Sequence, residues 1–261
     1  GGIYSEYQSD GTMTNVTISG NVASWEGGGV YLNNSSPAMS HVTISGNTAP
    51  VDGGGVYLTN NSSPVMSHLT MSGNSCDNHG GGIFMKNNSN PSFSNSILWN
   101  DLPQEIYMEG SGGGGPNNVT IDHTNIQGGQ DGIVPNDNGT ITWGDGNIDV
   151  DPMFADTANG NYHLLASSQC INAGHPDSTD SDGTVADIGA YPYLNSYSGP
   201  TWYISESGND TTATGASDDP FRSIQSGINF SSDADSVTVA AGTYVENIDF
   251  RGRNIKVVGE N

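Results

Sequence analysis

With 261 residues, 28 of them acidic and only 5 basic, the chain carries a formal net charge of −23. A surface of that sign excludes nucleic acid as a partner, because phosphate binding needs basic side chains, and it disfavours anionic membranes. Hydrophobic residues make up 33%, enough only for a thin core, and no run of roughly 18 apolar residues exists to insert in a membrane.

The chain opens on Gly-Gly-Ile-Tyr, without Met and in mid-phrase, as a processed or excised piece would. Gly-Gly-Gly-Val-Tyr-Leu then occurs at 27–32 and 53–58, and Gly-Gly-Gly-Ile-Phe-Met at 80–85. About ten residues after each comes a second phrase, Pro37-Ala-Met-Ser-His-Val-Thr-Ile-Ser-Gly-Asn47, Pro64-Val-Met-Ser-His-Leu-Thr-Met-Ser-Gly-Asn74 and the looser Pro91 to Asn100. A period of 26–27 residues means that each unit buries its apolar face on its neighbour. Within a unit, Val30 and Leu32 flank Tyr31, Ala38 and Met39 follow Pro37, and Val42-Thr-Ile44 alternates apolar with polar. Three short strands per coil and no helical periodicity predict an all-β fold, a right-handed parallel β-helix solenoid. Stacking places Val30, Val56 and Ile83 in one column, with Tyr31, Tyr57 and Phe84 in the next. Met39, Met66 and Phe93 form another, as do Asn47, Asn74 and Asn100, while Asn33-Asn34, Asn60-Asn61 and Asn87-Asn88 share a turn. Residues 1–147 form this repeat body, which grows irregular after about 101 and is broken by Gly110–Gly115.

From 148 to 198 the text changes to Asp149-Val-Asp-Pro-Met-Phe154, Tyr162-His-Leu-Leu165, Ser168-Gln-Cys-Ile-Asn-Ala-Gly174 and Asp187-Ile-Gly-Ala-Tyr191. This segment resembles the choice-of-anchor Q domain of secreted bacterial and archaeal surface proteins, which implies a closing segment for the last coils. Residues 199–261 contain Trp202 to Asp210, Asp219-Pro-Phe-Arg-Ser-Ile-Gln-Ser-Gly-Ile228, Ser236 to Asn247 and Ile255-Lys-Val-Val-Gly259. They resemble the opening cap of pectate-lyase-like β-helix proteins, which implies a short helix and first-coil strands. Asp219 before Pro220, followed by Phe221, Ile224 and Ile228, predicts that helix. Body, closing segment and opening segment thus follow one another in an order that implies continuation. Either the chain is one period of a tandem array, or copies dock end to end through Gly2, Ile3, Tyr4, Ile255, Val257 and Val258.

Chemistry finds little support in the residue pattern. Within the regular coils, up to about residue 100, the acids are Glu6, Asp10, Glu26, Asp52 and Asp77 and the one basic residue is Lys86, too sparse for lyase or hydrolase machinery. His41 and His68 share a repeat position, with Asn95 next, which favours a polar column over a metal site. Asp177, Asp180, Asp182 and Asp187 resemble a Ca²⁺ loop without EF-hand spacing, against the alternative of an acidic solvated loop. Cys76 and Cys170 are either a disulfide or two isolated thiols. Candidate glycosylation sequons stand at Asn15, Asn33, Asn34, Asn60, Asn61, Asn87, Asn118, Asn138, Asn209 and Asn229. The expected protein is non-catalytic, secreted or on the cell surface, a glycoprotein building a sheath, matrix or adhesin filament from copies of itself, with structural Ca²⁺ as its candidate cofactor. The alternative is a module that binds cell-surface glycans on Trp25, Trp99, Trp143 or Tyr residues, or that degrades polysaccharide.

Overall fold

Apolar and polar residues alternating at period two, interrupted by Gly, Asn and Pro, permit only short extended runs. The computed structural model, which describes residues 1–260, is built from such runs. Its backbone falls into two compact units, Gly1–Val150 with Ile188–Ala190, and Asp151–Asp187 with the residues from Tyr191 onward.

The first unit is a parallel β-solenoid. One sheet stacks six strands in chain order, Ile3–Glu6, Val30–Asn33, Val56–Thr59, Ile83–Met85, Ile106–Met108 and Ile133–Val134. A second stacks Thr12–Ser19, Ala38–Ser45 and Val65–Ser72, then divides. One branch continues through Ser92–Ser94, Asn117–Asp122 and Gly139–Trp143, the other through Ile97–Trp99 and Asn125–Ile126. Val30, Val56 and Ile83 stack as the repeats imply, as do Tyr31, Tyr57 and Phe84, and Met39, Met66 and Phe93. Their inward members, with Val42, Leu69, Ile44 and Met71, form a fully buried core.

Three details differ from the sequence reading. Ala38–Ser45 and Val65–Ser72 are single strands rather than two each, bent at His41 (φ 54°) and His68 (φ 49°). Asn15, Asn95 and His123 take the same left-handed turn in their own coils. Asn33 pairs with Thr59, so Asn34 alone in its coil faces the left-handed pair Asn60-Asn61, and the extra residue of the longer repeat is absorbed at that corner. Asn100 does not extend the Asn47–Asn74 column. It occupies the left-handed position held by Gly20, Gly46 and Gly73, and Asp101 follows Asn74.

The glycine triplets answer two steric demands. The first residue of each, Gly27, Gly53 or Gly80, has φ of 67–68°. The second approaches the next coil too closely for a side chain, since a Cβ on Gly54 would lie 2.6 Å from the Gly81 carbonyl oxygen.

The second unit contains an antiparallel pair, Phe154–Asp156 with Asn161–Leu164, and a parallel sheet in the order Thr201–Ile204, Ser236–Val239, Lys256–Gly259. Segments 148–198 and 199–261, expected as separate, share one core here, where Ala166 is buried with Trp202, Ile204, Phe221, Ile228 and Val237. Asn229 donates to the carbonyls of Ala166 (3.0 Å) and Ser168 (2.8 Å). The helix runs Ile224–Phe230 and begins later than Asp219-Pro220 predicts. Phe221 is held extended by bonding to Tyr203, and the first free helix amides, Ile224 and Gln225, donate to the Glu246 carboxylate at 2.8 and 3.0 Å. Among the described residues no helix is long and apolar enough to cross a membrane.

Candidate functional site

The first coil presents an open strand edge and exposed aromatic rings. Among the described strands, Ile3–Glu6 pairs only with Val30–Asn33, and Thr12–Ser19 only with Ala38–Ser45. An outward aromatic ladder runs Tyr4–Tyr31–Tyr57–Phe84–Tyr107 with ring centroids 5.0–5.7 Å apart. Inside the ladder Tyr57 is 1% exposed, its ring under the Lys86 ammonium and its hydroxyl donating to Glu26 at 2.9 Å. At the end of the ladder Tyr4 is 63% and Trp25 68% exposed. These two rings, with Ile3, Glu26 and Tyr31, line an open hollow of about 260 Å³. The Tyr4 hydroxyl donates to Glu6 at 2.6 Å, and that bond pushes its pKa up to about 12. Of the other candidate platforms, Trp99 is half-buried and Trp143 packs against the core.

A second site lies in the coils themselves and was missed in the sequence. Asn47 Oδ1 accepts from the backbone and side-chain amides of Asn21 (3.0 and 2.9 Å), Asn74 Oδ1 from those of Asn47 (3.0 and 2.9 Å), and Asp101 Oδ1 from those of Asn74 (2.7 and 2.9 Å). The Asp101 N–H in turn donates to Glu105 Oε1 at 3.1 Å. Glu105 precedes Ile106 as Gly82 precedes Ile83, so a carboxyl stands where earlier coils have glycine, and it forms the last rung. Both acids are buried, and Asp101 Oδ2 and Glu105 Oε2 have no donor from the rest of the described protein. A proton on either carboxyl would supply the donor these oxygens lack. Burial pushes Asp101 up to about 7, and burial together with the Asp101 charge pushes Glu105 up to about 10. The signal was available in the repeat, because Trp99-Asn100-Asp101 aligns with Ser72-Gly73-Asn74.

The remaining candidates resolve individually. His41 and His68 stack face to face, 4.6 Å apart and 2° from parallel. Their in-plane lone pairs therefore cannot converge on one ion. Burial, and secondarily His41, lowers His68 to about 4. His68→Asn, the residue of the neighbouring rung Asn95, is expected to leave neutral-pH stability nearly unchanged and to add about 1 kcal/mol at pH 5 in thermal unfolding.

Among the described residues Asp177, Asp180, Asp182 and Asp187 place no three carboxylate oxygens within 4.8 Å of one another. Backbone amides take their oxygens instead, with Asp180 accepting from Asp187, Asp182 from Thr184 and Asn195, and Asp187 from Asn172 and Tyr193 at 2.6–3.1 Å. Burial pushes Asp187 up to about 7. Cys76 and Cys170 form no disulfide; the Cys76 thiol contacts the His79 carbonyl at 3.0 Å and Cys170 is buried.

Of the sequons, Asn229 is buried with its amide bonded, which removes it as an acceptor. The amides of Asn87, Asn118, Asn138 and Asn209 are likewise engaged, whereas Asn15 and Asn61 are exposed.

Comparison with known proteins gives two family matches. A family model described as "Right handed beta helix region" matches residues 1–151. One described as "Protein of unknown function (DUF1565)" matches residues 206–250. No curated protein and no solved structure matches the chain.

Proposed function

We propose, from the premise that this chain belongs to the right-handed β-helix family, that it is a non-catalytic structural module of a secreted or cell-surface protein. Its coils continue end to end, covalently or between copies, into a sheath, matrix or adhesive filament. The observation that carries this reading is the unpaired, aromatic edge of the first coil, which an added coil would cover. The resemblance of 148–198 to choice-of-anchor Q segments supports the surface location, and the exposed sequons support glycosylation. The non-catalytic reading is supported by the sparse acids of the regular coils, of which only Glu26 and Asp52 share a repeat position.

Purified chain is expected to show concentration-dependent mass by light scattering and filaments by electron microscopy, with no turnover of a glycan panel. Discrete monomers at every concentration would overturn the reading. A second reading, glycan binding, is favoured by the exposed Tyr4 and Trp25 rings around the hollow. Oligosaccharide binding that is lost in Trp25→Ala would favour it over the first.

A further inference from the structure

The asparagine ladder changes chemistry at one rung, and that rung lies inside the solenoid with coils on both sides of it. In the rungs before it, the side-chain nitrogen bridges two acceptors. Asn47 Nδ2 donates to the Ile18 carbonyl and to Asn74 Oδ1, and Asn74 Nδ2 to the Ile44 carbonyl and to Asp101 Oδ1, each at 2.9 Å. Asp101 puts an oxygen in that place. The stacked glycines locate it: a Cβ on Gly29 would lie 3.0 Å from Asn47 Nδ2, and one on Gly82 would lie 2.9 Å from Asp101 Oδ2. Ile18, Ile44 and Met71 stack in register, so the carbonyl that belongs to the Asp101 rung is that of Met71. An acceptor has thus taken the position of a donor between acceptors.

Glu105 adds a second acceptor to the same rung. Its Oε1 takes the Asp101 N–H at 3.1 Å, as Asn74 Oδ1 takes the Asn47 N–H, while its Oε2 is buried without a donor, like Asp101 Oδ2. The two residues are 3% and 4% exposed. Both line an open hollow of about 290 Å³, with the exposed Asp131 at its rim. Gln104 and Gln127 line it too, but their side-chain oxygens already accept the Gly80 and Asn100 amides at 2.9 and 2.7 Å. Carboxylates are therefore the ligands on offer, and no imidazole or thiol stands among the lining residues. An all-oxygen, anionic set of this kind suits a hard divalent cation and not zinc or copper. A neutral or anionic ligand would leave buried acceptors facing one another.

We propose that the Asp101–Glu105 rung binds a divalent cation of the Ca²⁺ class, in the position that the amide nitrogen holds in the other rungs. Asp101 and Glu105 ligate it directly, and water and Asp131 complete its shell from the hollow. Asp131 acts through water because, among the described residues, these three carboxylates do not converge within 4.8 Å. With two direct carboxylates the expected Kd is roughly 0.1–1 mM, the range of extracellular Ca²⁺ modules. The site lies within the solenoid unit and does not depend on the end-to-end reading.

The test uses the purified, chelator-treated chain at pH 8, with CaCl₂ followed by calorimetric titration and thermal unfolding. The parent is expected to bind one ion in that range and to gain about 3–6 °C in unfolding midpoint at about 10 mM CaCl₂. Asp101→Asn restores the amide donor and so keeps the fold, yet it is expected to weaken Ca²⁺ binding at least about tenfold and to lose most of the shift. Glu105→Gln is expected to do the same, whereas Asp182→Asn, in the aspartate loop of the second unit, keeps both binding and shift. A parent chain whose midpoint ignores CaCl₂ would overturn the proposal and leave a proton as the occupant of the rung. A response that survives both Asp101→Asn and Glu105→Gln, or that only Asp182→Asn removes, would also overturn it, by placing the ion on the general acidic surface or in that loop.

Discussion

Gly54→Ala is expected to lower the unfolding midpoint sharply, while Gly46→Ala costs only about 1 kcal/mol. The contrast isolates two reasons for glycine. Gly46 has φ of 60° and no atom within 4 Å of where a Cβ would stand, so an added methyl meets only backbone strain. At Gly54 a methyl would press on the Ser75 carbonyl and lie 2.6 Å from the Gly81 oxygen. Those atoms belong to backbone fixed by the inter-coil ladder, where Gly54 N–H bonds to Gly80 and Gly55 N–H to Gly81 at 3.2 and 2.8 Å. Overpacking against mobile side chains costs about 1–3 kcal/mol, and against paired backbone at least about 3, a large share of the ~5–15 kcal/mol that stabilises a domain. Urea unfolding of both variants measures the difference. Equal midpoints would show that the coils separate freely at this point.

Stability is expected to be greater at pH 5 than at pH 8, and Asp101→Asn is expected to remove much of the difference. Asp101, Glu105 and Asp187 all titrate higher in the folded chain than in the unfolded one. Above about pH 4 the folded state therefore holds more protons than the unfolded state. The associated stability is present at acid pH and is lost as pH rises through about 7 for Asp101 and Asp187, and onward toward 10 for Glu105. His41 and His68 oppose this, because their lowered pKa values make stability fall as pH drops from about 6.5 toward 4. Three carboxyls outweigh two partly buried imidazoles, and less acidic charge also eases the repulsion of a −23 chain. Raising Asp101 from 3.8 to about 7 corresponds to roughly 4 kcal/mol at most. Asparagine keeps the oxygen that Asn74 needs and places an amide donor where Oδ2 has none. Asp101→Asn should therefore add about 1–3 kcal/mol at pH 8 and little at pH 5, by thermal unfolding across that range. A parent chain most stable at pH 8 would refute the raised carboxyl pKa values.

The repeat made the solenoid and most of its register readable, because Val30, Val56 and Ile83 can stack only if successive strands pair in parallel. Legibility failed where one rung changes chemistry. Asn100 looked like the third asparagine of a ladder, but Asn tolerates left-handed backbone and stands in for Gly73, which moves the rung to Asp101. Glu105 was hidden because it replaces a glycine whose phrase had lapsed. The left-handed bends at His41 and His68 leave no mark in polarity, so one bent strand read as two. In the second unit, burial of Asn229 and the late helix start depend on contacts made far along the chain, with Ala166 and Glu246, which local patterning does not carry.

Ala38–Ser45 and Val65–Ser72 pair residue for residue, with no bulge between them. Loss or gain of one whole repeat in the gene would thus rejoin the chain with every column intact and alter the solenoid by a single step of about 4.8 Å. Reach is therefore a heritable quantity in this protein, adjustable by unequal recombination without any new packing having to be invented.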